Sequence, residues 1–194
     1  PDILYYHEAM RAPDRMNFIQ AMDKEIQQHS QRKHWQIVRR TEIPRHHKVL
    51  PMVWAMARKR RIKTQEVYKW KSRINVHGGK QEYMVHYEDT YAAALCWSTI
   101  RIIFVLIILF SWHSKQLDFV LAYPQADIER ELYVDIPMGM QLTNNLSKKE
   151  YALRLIKNLY GSKQAGKTWA DYRDKKLKEM GFEKSRIDHC LFYR

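Results

Sequence analysis

The sequence is poor in cysteine, poor in acidic residues and free of any long apolar run. Its two cysteines, Cys96 and Cys190, lie far apart and form no C-x-x-C pair. That argues against a disulfide scaffold and a structural zinc site, and fits a reducing intracellular compartment. The longest apolar run is IIFVLIILF at 102–110. It falls well short of the roughly 20 residues that span a bilayer, so it reads as a buried core element, with no membrane anchor. No signal peptide, internal repeat or low-complexity tract is visible. The first residue is Pro1 rather than Met, so the chain is expected to be cut from something longer. Acid is scarce: 21 Asp and Glu stand against 34 Lys and Arg, a net charge of +13. Such an excess attracts polyanions, and nucleic acid is the first candidate.

What is present suffices for a folded unit. The 194 residues allow one large domain or two small lobes, and 45% hydrophobic content allows a core. Residues 13–29 place Phe18, Ile19, Met22 and Ile26 at helical spacing behind Pro13. Residues 35–39 alternate like a short strand. His46 and His47 are adjacent, lack Cys or well-spaced acidic partners, and read as a solvated pair. Residues 52–76 alternate apolar and basic and predict a hairpin turning near Lys63–Gln65. Residues 90–113 predict a mostly helical stretch. Leu117, Phe119 and Leu121 alternate with Asp118 as in a buried strand that Pro124 breaks. A second strand is expected at Leu132–Val134, a strand-like segment at Tyr151–Leu159, and a helix from Gln164 to Met180 capped by Gly181. The end, IDHCLFYR, reads as the start of another strand. Helices interleaved with short antiparallel strands predict an α+β fold.

Four stretches in order carry a resemblance: WKSRINVHGGKQ (70–81), QLDFVLAYPQADIERELYVDIPMG (116–139), LYGSKQAGKTW (159–169) and GFEKSRIDHCLFY (181–193). With FIQAMDKEIQQHSQRKHWQIV before them, they resemble the copia-type retrotransposon reverse transcriptase. Any one motif is weak; the ordered set covers nearly the whole chain. The resemblance implies fingers and a partial palm of a right-hand polymerase. Residues 1–115 would be mainly fingers. Residues 116–194 would be the start of the palm, with a returning fingers segment and the palm helix. It also implies a Pol polyprotein carrying integrase and ribonuclease H.

Site roles follow from the same resemblance. Asp118 is implied as a catalytic carboxylate and, with the Phe119 carbonyl, a ligand of Mg²⁺ in a two-metal site. Arg73 and Lys71, with Lys69 nearby, are implied to bind the triphosphate of an incoming deoxynucleotide. Tyr123 is implied to lie under its sugar; the alternative is a core Tyr beside Pro124. Gly161 and Gln164 belong to the motif implied to line the nucleotide pocket, and a turn glycine is the alternative for Gly161. Arg58, Arg60, Arg61, Lys63, Lys163 and Lys167 are candidates to touch an RNA template, DNA primer or RNA–DNA hybrid, or are simply solvated. Asp127, Glu129, Glu131 and Asp135 read as surface charges. Family members also carry a Y-[VI]-D-D box with two more carboxylates, and no such box occurs in this sequence. The chain is therefore expected to be inactive alone, as an enzyme fragment or as a non-catalytic nucleic-acid-binding remnant. An intracellular location, in a cytoplasmic particle or the nucleus, is expected.

Overall fold

A computed structural model describes residues 2–142 and 146–194. In chain order the elements are β1 (Ile3–Leu4), α1 (Tyr6–Arg11), α2 (Arg15–Gln31), β2 (Trp35–Arg39), β3 (Val49–Leu50), β4 (Met52–Arg60), β5 (Val67–Val76), α3 (Trp97–Leu109), α4 (Ala122–Gln125), β6 (Tyr133–Val134), β7 (Tyr151–Leu155), α5 (Ala165–Glu179), β8 (Glu183–Lys184) and β9 (Phe192–Tyr193). The architecture is mixed helix and sheet with mostly antiparallel pairing. The stretch QLTNNLSKK at 141–149 reads as a polar loop, and its residues 143–145 lie outside the described residues.

The basic hairpin forms as its alternation predicts. β4 and β5 pair antiparallel, with Ala57 opposite Lys71 and Ala55 opposite Arg73. The connection turns at Gln65, whose φ of 59° lies in the left-handed region. β1 completes this sheet on the far side of β4, which leaves β5 at the edge. A second sheet runs β2-β7-β6-β3, antiparallel except for the β3–β6 pair.

α2 packs on the first sheet. Phe18 and Met22, one helical turn apart, are buried with Met56 and Ile74 of the hairpin. The same core continues into Leu50, Val134, Leu153 and Leu155 of the second sheet, so both sheets share it. The exit of β5 meets the turn after β7 directly: the Val76 amide donates to the Tyr160 carbonyl at 2.8 Å. Gly161 permits that approach. Its φ is +84°, and a Cβ there would drive into the Val76 carbonyl oxygen.

Three expectations are corrected. Residues 117–121 do not form a strand. Alternation supplied an apolar face, but a strand also needs a neighbour for its ladder, and among the described residues none pairs with this segment. The chain instead turns through Leu121, left-handed at φ 51°, into α4. Pro124 lies inside that short helical turn, where its missing N–H costs nothing. The helix expected over 90–113 forms only as α3. Its start is held from a distance by Asp188, whose carboxylate accepts the Cys96 amide at 3.0 Å. The run 102–110 is not buried: Ile102, Phe104, Ile108 and Leu109 are all exposed. Among the described residues no helix is long and apolar enough to cross a membrane.

The solvated histidine pair holds only in part. His46 is exposed, while the His47 ring packs edge-on against Tyr133.

Candidate functional site

β5 is the outer strand of its sheet, and the period-two alternation sorts its side chains. Ser72 and Ile74 are buried toward α2, and the Ser72 hydroxyl donates to the Phe18 carbonyl at 3.3 Å. Lys69, Lys71 and Arg73 fall on the other set of positions. They open onto a cleft of about 830 Å³. Lys24, Glu25 and Gln28 of α2 form one wall; Leu117 to Tyr123, Tyr160 and Trp169 form the other.

The cleft is positively charged. Lys24, Lys69, Lys71 and Arg73 outnumber Glu25 and Asp118 along its lining. Burial, then the neighbouring Arg73, Lys59 and Lys69, pull the Lys71 ammonium below its ordinary pKa. A cation crowded by cations gains from an anion brought among them. Arg73 is not loose. Its guanidinium carbon stands 4.8 Å from the Tyr160 ring centre, and that ring lies 5.0 Å from the ring of Tyr123. Burial pushes the Tyr160 phenol above its ordinary pKa.

Asp118 is exposed on the irregular segment ahead of α4. Phe119 beside it packs edge-on against Trp169, ring centres 5.0 Å apart, which anchors the segment to α5. Glu25 is the other carboxylate in the lining, and it is engaged. Its Oε1 accepts the Ile74 amide at 3.4 Å and stands 3.4 Å from His29 Nε2. Among the described residues no group of three or more His, Cys, Asp or Glu is arranged to hold a metal ion. Magnesium takes six hard oxygen ligands in near-ideal octahedral geometry. Asp118 and the Phe119 carbonyl do not by themselves fit a pair of such ions.

The structure thus brings Asp118, Phe119, Tyr123, Lys71 and Arg73 to one cleft. Gly161 and Gln164 stand outside its lining. Gly161 joins β5 to the 159–161 turn, as above. Gln164 is buried; its Oε1 accepts Gln81 Nε2 at 3.0 Å, and Gln81 Oε1 in turn accepts the Lys163 amide at 2.7 Å. Both therefore lock the hairpin exit to the start of α5.

The candidate nucleic-acid contacts divide. Arg58 grips Asp14 with Nε at 2.7 Å and a second nitrogen at 2.6 Å, and its guanidinium lies over the Phe18 ring. Arg60 bonds Asp2 at 2.8 Å and the Gln65 carbonyl at 2.7 Å. Lys163 donates to the Tyr87 hydroxyl at 3.0 Å, and Lys167 pairs with Asp171 one turn along α5. Arg61 and Lys63, at the hairpin tip, are exposed. Of the acidic residues read as surface charges, Asp127 pairs with Lys157, Glu131 with Arg154 and Asp135 with Arg40.

Sequence reasoning missed Lys24, Gln28, Tyr160 and Trp169. Lys24 and Gln28 are one helical turn apart on α2, which puts them on one face. Nothing in their identity says which strand edge that face meets. Tyr160 adjoins Gly161 in LYGSKQ, so the motif itself is its signal in the sequence.

The chain matches the family model described as Reverse transcriptase (RNA-dependent DNA polymerase) over residues 32–194. It is 25% identical over 187 residues to the Retrovirus-related Pol polyprotein from transposon TNT 1-94 of Nicotiana tabacum, covering 96% of this chain and 14% of that protein. It is 30% identical over 124 residues to the polyprotein from transposon RE2 of Arabidopsis thaliana, covering 64% of this chain and 8% of that one. The Transposon Ty1-BL Gag-Pol polyprotein of Saccharomyces cerevisiae is 36% identical over 83 residues, 42% of this chain and 4% of the polyprotein. The chain thus spans a small part of the length of these relatives. No solved structure matches it. With the model covering most of the sequence and copia-type Pol polyproteins as its relatives, the chain belongs to the reverse transcriptase family.

Proposed function

We propose that this chain supplies the fingers and the beginning of the palm of a copia-type reverse transcriptase, and that its basic cleft seats the triphosphate of an incoming deoxynucleotide. Residues 1–115 are mainly fingers; residues 116–194 begin the palm. One observation carries the reading: Arg73 and Lys71, from the hairpin, share a cleft with Asp118 and Tyr123, which come from a separate part of the chain. Arg73 and Lys71 face the phosphates, and the planar fork of Arg73 suits their oxygens. Tyr123 packs against the sugar and leaves no room for a 2′-hydroxyl. The parent reaction adds a deoxynucleotide to a primer 3′-hydroxyl on an RNA or DNA template and releases pyrophosphate. Reverse transcriptases use divalent metal ions, and Asp118 is one carboxylate for Mg²⁺. The described residues do not complete that site, so the chain on its own binds nucleotide without extending a primer. Ribonuclease H and integrase would be its neighbours in the polyprotein.

The test is calorimetric titration of the purified chain with a deoxynucleoside triphosphate. Arg73→Ala weakens binding about tenfold or more, the worth of a charge-assisted hydrogen bond. Undiminished affinity in that variant contradicts the reading. Detectable Mg²⁺-dependent primer extension, abolished by Asp118→Asn, contradicts the claim that the chain alone is inactive.

A second reading draws on the exposed Arg61 and Lys63 and the net charge of +13: a module that binds nucleic acid without catalysis. It predicts affinity for an RNA–DNA hybrid that falls steeply with salt. Salt-independent binding would count against it.

A further inference from the structure

Tyr160 has no role in the reading of the motifs, yet it touches both Arg73 and Tyr123 in the cleft. We propose that Tyr160 is a positioning residue that holds the phosphate-facing Arg73 and the sugar-facing Tyr123 at a fixed separation. The inference rests on the nucleotide reading of the cleft and goes one step beyond it.

Three anchors support it. The Tyr160 carbonyl accepts the Val76 amide at 2.8 Å, which ties the residue to β5, the strand that carries Arg73. One face of its ring receives the Arg73 guanidinium at 4.8 Å. Its ring also meets Tyr123 at 5.0 Å, inclined by 50°. Tyr123 lies in α4, just beyond the left-handed Leu121 and close in sequence to Asp118. A side chain fixed to β5 at one end and to the 118–123 segment at the other sets the width of the cleft between them. The ring contact also does something specific to Arg73. With the guanidinium held over a ring, fewer rotamers compete, and its fork of N–H donors remains to meet phosphate oxygens. An aliphatic side chain of similar volume would fill the space without the electrostatic attraction of the ring face.

The test uses the full chain with inorganic tripolyphosphate, then with dATP and ATP compared. Tyr160→Leu weakens tripolyphosphate binding about three- to tenfold, the range set by one cation–π contact. The same variant lowers the preference for dATP over ATP, because Tyr123 loses its backing. Tyr160→Phe keeps the ring, and so restores tripolyphosphate affinity to near that of the unmodified chain. A residue that merely filled space would be replaced as well by Leu as by Phe. Should Tyr160→Leu fail to fold, Arg73→Lys probes the same contact from the other side, since it keeps the charge and loses the planar guanidinium that lies over the ring. Equal affinity in Arg73→Lys, or in a folded Tyr160→Leu, overturns the inference and leaves the cleft reading standing. No binding of tripolyphosphate or dATP by the unmodified chain overturns both.

Discussion

The most basic run of the hairpin invites the view that every Arg in it meets nucleic acid, and Asp14 tests that view. Asp14 sits at the N-cap of α2, but its carboxylate makes no cap bond. It takes two bonds from Arg58, at 2.7 and 2.6 Å, and one from Trp70 Nε1 at 2.6 Å. The side chains of Asp14 and Arg58 are only 23% and 13% exposed. Removing one partner of a fully buried pair costs about 3–5 kcal/mol, and an exposed pair is worth at most about 1 kcal/mol. The partial exposure places Asp14→Asn between these, at about 2 kcal/mol. Asn caps a helix as well as Asp does, so the substitution isolates the pair from the cap. For a chain of this size that loss lowers Tm by roughly 4–8 °C.

Urea unfolding followed by tryptophan fluorescence measures it, and Trp70 reports from inside the network. Acid adds a second arm. Arg58 holds the Asp14 carboxyl well below its ordinary value of 3.8. The contribution of the pair is therefore full above that value and is lost as pH falls below it, because the unfolded chain takes up the proton first. Asp14→Asn should remove that part of the acid limb. A loss below about 0.5 kcal/mol, with the acid limb unchanged, would refute the reasoning and return Arg58 to the solvent.

Other outcomes are expected. Gly161→Ala should cost about 3 kcal/mol in a denaturant melt, since it combines a left-handed φ with a collision against the Val76 carbonyl. Arg61→Ala and Lys63→Ala should each lower the salt slope of binding to an RNA–DNA hybrid by about one, and Arg60→Ala by less, because Asp2 and the Gln65 carbonyl already hold it. The Nδ1 atoms of His29 and His34 lie 2.8 Å apart, so one donates and the other must accept. Burial and the neighbouring His29 lower the His34 pKa from 6.5 to about 4. Unfolded His34 takes a proton that the folded ring refuses, so stability should fall by about 2–3 kcal/mol as pH drops from 6.5 toward 4. His34→Gln should flatten that part of the pH profile.

The parts of the fold legible in the sequence were those fixed by local periodicity. Phe18 and Met22 marked α2 by their spacing, and the strand character of Val67, Tyr68 and Trp70 within the alternating stretch 52–76 marked β5. What stayed hidden depends on partners distant in the chain. Alternation at Leu117, Phe119 and Leu121 is a strand signal only where a second strand lies alongside, and the described residues provide none. The apolar run at 102–110 carries the composition of a core helix, yet a core needs opposing elements to cover it. Arg58 and Arg61 look alike in sequence. Asp14 is what separates them, and it lies 44 residues from Arg58. For the site, the resemblance named Asp118, Tyr123, Lys71 and Arg73, and the fold brings them to one cleft. It could not show that Tyr160, rather than Gly161 or Gln164, is the member of LYGSKQ that reaches the cleft.

The central claim is that a nucleoside triphosphate lies along β5 between Arg73 and the 118–123 segment. The most direct measurement is photo-crosslinking with 8-azido-dATP, followed by mapping of the modified peptides. The account predicts labelling of peptides from the cleft walls, those carrying Lys71 and Arg73, Tyr123 or Tyr160, and competition by unlabelled dATP. Labelling confined to the outer face of α5, or labelling that unlabelled dATP does not displace, would contradict it.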